Sequence, residues 1–322
     1  MHNFIYAAAT GGFVVAKPRN ILSVADLSSK EMDSLISRAG ALKKQFKLRR
    51  PSRGLSGSAV GLLFEKPSTR TRTSFEVATL RLGGSPVYLA ASDLQLSRGE
   101  PIKDTARVLG GYLDIVVARV FAQSTLVQLA AYSGRPVINA LSETEHPTQA
   151  VSDLLTIKEA KGTLQGITLA YVGDGNNVCN SLLLAGALTG MNVVVASPEG
   201  YEPEDSLIRK AKSLAKSTGG SIELVRDPKD AVTSADAVYT DVWVSMGEEK
   251  EQEARVRAFK RYQVNSALMG SAPRGAVVMH CLPAHRGLEI TDDVLEGRQS
   301  VAWQQGENKL YGAAASLEYV AG

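Results

Sequence analysis

Sulfur and imidazole are scarce in this chain of 322 residues, which has two cysteines, Cys179 and Cys281, and four histidines. Two thiols build no disulfide framework, and free thiols suit a reducing cytoplasm. No spacing among the cysteines and histidines matches a structural zinc site. No apolar run approaches the ~18 residues a membrane span needs, so no membrane partner is expected. A strong charge excess is also missing. The net charge of +3 is too small and too dispersed for nucleic acid, but suits a small anionic substrate. Low-complexity segments and short-period repeats do not occur. Residues 1–19 contain an apolar stretch, Phe4 to Ala9, but no basic region ahead of it, and glycines interrupt it. That stretch reads as an extra N-terminal arm rather than a signal peptide.

What is present is an ordinary enzyme-like composition, 44% apolar and 21% charged, at a length that predicts about two domains. Apolar runs and helical patterns alternate along the chain. Strands are expected at Ala59–Phe64, Pro86–Leu89, Asp114–Ala118 and Pro136–Asn139, with helices between them and one earlier helix from Val24 to Phe46. After a helix that begins at His146, the alternation resumes with strands at Ile167–Val172, Asn192–Ala196, Ser221–Val225, Ala237–Thr240 and Ala276–Met279. The fold class is therefore α/β: two domains, each a mostly parallel sheet flanked by helices. The expected boundaries are 20–150 and 151–304, with a C-terminal helix in 305–322 packing back on the first domain.

The densest chemistry follows the first strand. Ser68-Thr69-Arg70-Thr71-Arg72 packs hydroxyls and guanidinium groups into a strand-to-helix junction. A helix N-terminus offers unpaired N–H groups and a positive dipole end, so the stretch reads as an oxyanion receptor. A capped helix with two surface arginines is the plain alternative. Like charges this close repel unless an anion lies between them, which favours a phosphate site. Arg119 ends a strand. His146 and Gln149 lie one helical turn apart, where a neutral imidazole and an amide are suitable donors to a developing oxyanion.

In the second half, Gly173-Asp174-Gly175-Asn176-Asn177 follows a strand but lacks the third glycine of a dinucleotide fingerprint. Its asparagines are suited to a small carboxylate. Asp241 closes another strand ahead of Val242-Trp243-Val244-Ser245-Met246-Gly247, and suits either an ammonium group or an Asx turn. His280-Cys281-Leu282-Pro283 sets a thiol beside an imidazole. Adjacent residues of an extended segment point to opposite sides, so a Cys–His nucleophile pair is not expected. Nearly all these groups follow strand C-termini, where open parallel sheets bind ligands. One site in the cleft between the domains is expected.

Taken together, these residues resemble the carbamoyltransferases, from about Asn20 to the end of the chain. Ser68-Thr69-Arg70-Thr71-Arg72 and His146-Pro147-Thr148-Gln149 are similar to motifs of the whole superfamily. Asp241 to Gly247, His280 to Pro283 and Gln95 to Glu100 look like the branch that acts on ornithine rather than aspartate. The resemblance implies carbamoyl transfer from carbamoyl phosphate to the δ-amine of L-ornithine, giving L-citrulline and phosphate; putrescine is the alternative acceptor. It also implies a homotrimer or an assembly of trimers, a cytoplasmic setting, and no metal or organic cofactor.

By the same resemblance Ser68, Thr69, Arg70 and Thr71 grip the phosphate, joined by Gln95 of a neighbouring subunit. Arg119, His146 and Gln149 hold the carbamoyl end. Asn177, Asp241, Ser245 and Met246 hold the ornithine head, while Cys281 and Leu282 line the path of its amine. Arg70, Arg119, His146, Asp241 and Cys281 are the expected catalytic set. Lys309 stands where the family usually has arginine; either it contacts carbamoyl phosphate with one bond instead of a fork, or the site is completed differently.

Overall fold

The computed structural model describes residues 18–50, 52–244 and 251–322. A 3-10 turn at Val24–Asp26 leads into α1 (Ser29–Lys47), each opened by its own capping box, Ser23 with Asp26 and Ser28 with Glu31. Within the helical spacing that runs from Val24 to Phe46, the expected N-cap at Ser28 or Ser29 ahead of Glu31 is found at Ser28, and the residues before it form a separate 3-10 turn because Ser23 caps them on its own.

The first sheet contains β1 (Ala59–Phe64), β2 (Ser85–Ala90), β3 (Ile115–Arg119) and β4 (Val137–Leu141). Helices α2 (Thr69–Arg81), α3 (Ile102–Tyr112) and α4 (Gln123–Tyr132) make the crossovers. All pairings are parallel, in the order β2-β1-β3-β4. β1 and β3 are buried along nearly their whole length, as strands covered on both faces must be. Each fully buried Val or Leu there contributes ~1.5–3 kcal/mol of transfer free energy.

Helix α5 (Pro147–Lys161) carries the chain to the second sheet and is buried from Pro147 through Ile157. That sheet has β5 (Thr168–Val172), β6 (Asn192–Ala196), β7 (Ser221–Val225), β8 (Ala237–Thr240) and β9 (Val277–His280), again parallel, in the order β7-β6-β5-β8-β9. Its helices are α6 (Asn177–Leu188), α7 (Asp205–Thr218), α8 (Pro228–Val232), α9 (Gln252–Phe259), α10 (Ser266–Met269) and α11 (Asp292–Leu295). The last helix, α12 (Ala302–Ala321), packs on α1, α2 and α5. It starts at Ala302, three residues before the expected segment 305–322, and holds both Gln305 and Lys309 on rigid helix.

In the first sheet the strand order reverses between β1 and β3; in the second it reverses between β5 and β8. These reversals open crevices at the carboxyl ends of the strands. The candidate residues flank both of them. Among the described residues, no helix is long and apolar enough to cross a membrane.

Candidate active site

Ser68 is the N-cap of α2, its Oγ accepting from the N–H of Thr71 at 3.2 Å. The helix thus starts inside the sequence motif itself, at the strand-to-helix junction expected there. Thr69 and Arg70 occupy the first two positions, where N–H groups lack intrahelical acceptors. Arg70 and Arg72 part company here. Arg72 pairs with Glu76 at 2.9 Å and lies 3.4 Å from the ring centroid of Tyr88, whereas Arg70 is half-buried and within electrostatic range of Cys281 and Arg119. Arg70 and Arg72 therefore do not share one anion as their adjacency suggests; the cation linked electrostatically to Arg70 is Arg119, at the end of β3.

Arg119 is buried at the carboxyl end of β3, where the register with β4 shifts by one residue between Ala118 and Arg119. Such a bulge re-aims a side chain. Burial lowers its guanidinium to about 10, and the charge of Arg70 adds to the effect. The third cation is Lys309 of α12, buried, and pushed down to about 8 by burial, with Arg119 and Arg70 also lowering it. Three cations from three elements converge on one spot. That arrangement calls for an anion.

Between them lies His146, held by a 2.8 Å bond from its backbone N–H to Ser181 Oγ of α6. Burial, with Lys309 and Arg119, keeps the imidazole well below its usual range, so it is neutral at physiological pH. Lys309 Nζ stands 3.4 Å from His146 Nε2. An ammonium only donates, so the imidazole proton is on Nδ1. Among the described residues, that Nδ1 and Nε of Arg119 are buried without hydrogen-bond partners. Two orphaned buried donors in one site point to an acceptor supplied by a ligand.

Gln149 departs from expectation. Its NH2 donates to Asp153 Oδ1 at 2.7 Å, and its Oε1 accepts from Lys309 Nζ. It therefore offers the site a carbonyl acceptor, not the oxyanion donor inferred from sequence.

Across the cleft, the Cys281 thiol donates to Asp241 Oδ1 at 2.9 Å. Burial and the Asp241 charge hold that thiol well above its usual range, so it stays protonated. Asp241 Oδ1 also accepts the N–H of Val242 at 2.8 Å, and its Oδ2 accepts from Asn176 Nδ2 at 2.9 Å. Asn176, read from the sequence with Asn177 as a carboxylate ligand, also takes the Tyr171 hydroxyl at 3.2 Å and caps α6. Asn177 itself donates to the Ser142 carbonyl at 2.7 Å, tying α6 to the loop before His146. Leu282, half-buried at φ 59, donates its N–H to His280 Nδ1 at 2.9 Å. Gln95 is exposed and joins none of these groups within the chain. Ser245 and Met246 lie outside the described residues.

Asp241, His280 and Cys281 bring potential metal donors within 4.8 Å of one another. They are already engaged: the thiol with Asp241, and the two His280 ring nitrogens with Leu282 N–H and with Glu289 Oε1 at 3.2 Å. The glycine-rich turn after β5 is likewise filled. Gly175 N–H donates to Tyr201 O at 2.8 Å, and a Cβ at Gly175 would sit 2.2 Å from Pro203 N. The loop after β6 thus occupies the place where a dinucleotide pyrophosphate would approach the helix, for a physical reason the missing glycine only hinted at.

Two family models match the chain: the carbamoyl-P binding domain of aspartate/ornithine carbamoyltransferase over residues 19–159, and its Asp/Orn binding domain over 165–320. The ornithine carbamoyltransferase of Pyrococcus horikoshii is 49% identical over 309 residues, covering 96% of this chain and 98% of the relative. An anabolic ornithine carbamoyltransferase of Pyrococcus furiosus is 49% identical over 304 residues, covering 94% and 96%. A solved ornithine carbamoyltransferase structure from Pyrococcus furiosus superposes with a TM-score of 0.90 at 49% identity, covering 95% of this chain and 97% of that one. On these matches the protein belongs to the aspartate/ornithine carbamoyltransferase family.

Proposed function

We propose that the chain transfers the carbamoyl group of carbamoyl phosphate to the δ-amine of L-ornithine, releasing L-citrulline and phosphate. The observation that carries this reading is the convergence of Arg70, Arg119 and Lys309 on a neutral His146, opposite the Asp241–Cys281 pair. Cations suit the phosphate, a neutral imidazole suits a carbonyl, and a carboxylate suits an ammonium. Residues 20–150 form the carbamoyl phosphate half, completed by the C-terminal helix; residues 151–304 form the amino-acid half.

Ser68, Thr69, Arg70 and Thr71 grip the phosphate, with Lys309 as a further cation. Thr71, Arg119 and His146 donate to the carbonyl oxygen, and Gln149 accepts from the carbamoyl N–H. Asn177, Asp241, Ser245 and Met246 hold the α-amino acid head, and Cys281 and Leu282 line the approach of the δ-amine. The amine nitrogen attacks the carbamoyl carbon, the C–O bond to phosphate breaks, and phosphate leaves with the bonding pair. The proton lost by nitrogen passes to phosphate. Before attack the incoming ammonium gives up one proton to the Asp241 carboxylate, to which the protonated Cys281 thiol is already hydrogen-bonded. Positioning and charge stabilisation account for the chemistry.

Gln95 completes the phosphate site of a neighbouring copy in a homotrimer. Among the described residues, every exposed large hydrophobic except Trp303 lies in the first half, including Val108, Tyr112, Val127 and Tyr132 of α3 and α4, which supports an assembly through that half. Two buried free cysteines suit a cytoplasmic setting, and the relative named anabolic supports a biosynthetic direction. The test is a citrulline assay with ornithine, putrescine and aspartate as acceptors. Ornithine turnover abolished by Arg70→Ala supports the reading; equal turnover of putrescine overturns the acceptor.

A further inference from the structure

The Gln149 amide is held between two groups that each admit one orientation. On one side, Asp153 is fully buried one turn further along α5. Its Oδ1 accepts from Gln149 Nε2 at 2.7 Å and from Gln305 Nε2 at 2.7 Å, and its Oδ2 accepts from the Tyr239 hydroxyl at 3.0 Å. The orientation of Gln305 is set independently, because its Oε1 accepts the backbone N–H of His280 at 2.9 Å. On the other side, Gln149 Oε1 accepts from Lys309 Nζ. An ionised carboxylate has no donor and an ammonium has no acceptor. Burial pushes the Asp153 carboxyl up to about 6 while its three donors pull it back, so it is ionised at neutral pH. Turning the Gln149 amide over would set NH2 against ammonium and C=O against carboxylate, losing two buried charge-assisted bonds together.

We propose that Asp153 is a positioning residue that turns the Gln149 carbonyl toward the transferred group, and so selects carbamoyl phosphate over an acyl phosphate of the same shape. The inference rests on the carbamoyl-transfer reading. Carbamoyl phosphate and acetyl phosphate share the phosphate and the carbonyl, and differ only in NH2 against CH3. Thr71, Arg119 and His146 read the shared parts and cannot separate the two. An acceptor facing the variable group pairs with N–H and is left unpaired against methyl, and a site built to hydrogen-bond rejects an analogue lacking the donor. Gln149 meets this requirement only in the orientation that Asp153 imposes. A carbonyl oxygen has two lone pairs, so Lys309 and a carbamoyl N–H can be served together.

The test measures kcat/KM for carbamoyl phosphate and for acetyl phosphate, with ornithine as acceptor, in the wild-type chain, Asp153→Ala and Asp153→Asn. With acetyl phosphate the amine attacks the acetyl carbon, the C–O bond to phosphate breaks, and δ-N-acetylornithine forms as phosphate takes up the proton. Asp153→Ala frees the amide, and the carbamoyl-to-acetyl ratio falls about tenfold or more, mostly through loss of carbamoyl transfer. Asp153→Asn keeps an acceptor oxygen for both glutamines and turns its NH2 to the Tyr239 hydroxyl, so the ratio holds within about threefold. An alanine variant in which both donors lose activity in parallel overturns the inference, since that is what a merely structural residue does. A wild-type chain that does not turn over carbamoyl phosphate overturns the carbamoyl-transfer reading, and this inference with it. If Asp153→Ala does not fold, calorimetric titration of the wild type and Asp153→Asn with phosphonoacetamide and acetonylphosphonate decides. Preference for the amide by about tenfold in both supports the inference, and equal affinities overturn it.

Discussion

Lys309 Nζ lies 3.4 Å from His146 Nε2 and donates to Gln149 Oε1, so one lysine of the C-terminal helix touches both polar side chains at the start of α5. Because burial pushes Lys309 down to about 8, this cation is lost in mildly alkaline solution. In the wild type, kcat/KM for carbamoyl phosphate should fall above pH 8 as the ammonium deprotonates. The free-enzyme value governs that quantity. Lys309→Arg should remove the alkaline fall and lower KM for carbamoyl phosphate, because guanidinium stays charged and binds as a fork. An unchanged KM and an unchanged alkaline limb would sink the assignment. The stability sign is equally definite. With a folded value of about 8 below the ordinary 10.5, the unfolded chain binds the extra proton between them, so the Lys309 contribution to stability rises with pH across that window.

His146 should not titrate near neutrality. Its imidazole is held well below the usual range, so pH–rate profiles between pH 6 and 8 should show no limb that His146→Ala removes. The same substitution should lower kcat by on the order of 10²–10³, the cost of one oxyanion donor. A limb near pH 6.5 that disappears in the variant would contradict the neutral-donor role.

Cys281 should be slow toward thiol reagents at pH 8, since burial and Asp241 both keep it protonated. Asp241→Asn removes the charge and one cause of the shift, and should speed alkylation of Cys281 relative to Cys179, which mass spectrometry of the labelled peptides can separate. Faster labelling in the wild type than in the variant is the adverse result.

Two adjacent glycines of α3 should respond with opposite sign. A Cβ at Gly110 would meet the Ser133 carbonyl oxygen at 1.9 Å, whereas a Cβ at Gly111 meets nothing within 4 Å. Gly110→Ala should cost about 3 kcal/mol or more, by forcing α3 away from the end of α4. Gly111→Ala should gain about 0.5–1 kcal/mol from helix propensity. Chemical denaturation of the two variants settles it. Equal midpoints would mean that α3 and α4 do not pack this closely.

How much was legible in advance varies with the range of the interaction. β1, β6 and β8 fall at the expected residues because a covered strand is written as a short apolar run between turn signals, and the edge strand β7 does so because its apolar and polar residues alternate. Helix starts were less legible: α12 begins at Ala302, three residues ahead of the expected segment. Among the candidate site residues, Ser68 to Thr71, Arg119, His146, Asp241 and Cys281 stood out because each lies at or after the end of a strand. Asp153 did not, and Asn176 was read for a ligand instead of for Asp241, 65 residues away, because side-chain pairing is decided by the fold.

The sequence by itself determined the alternation of strands and helices, the strand-end location of the reactive groups and, through motif resemblance, the family. These are local properties, decided by apolar period, capping and chain order. Only the tertiary structure decided which arginine joins Arg119, which way the Gln149 amide faces and where the proton of His146 lies. Arg70 and Arg72 are indistinguishable as neighbours in a list. Helix geometry sends one to Glu76 and Tyr88 and the other toward Arg119 and Cys281. The amide and imidazole orientations follow from donors and acceptors on α5 and α12, elements that meet only when the chain has folded.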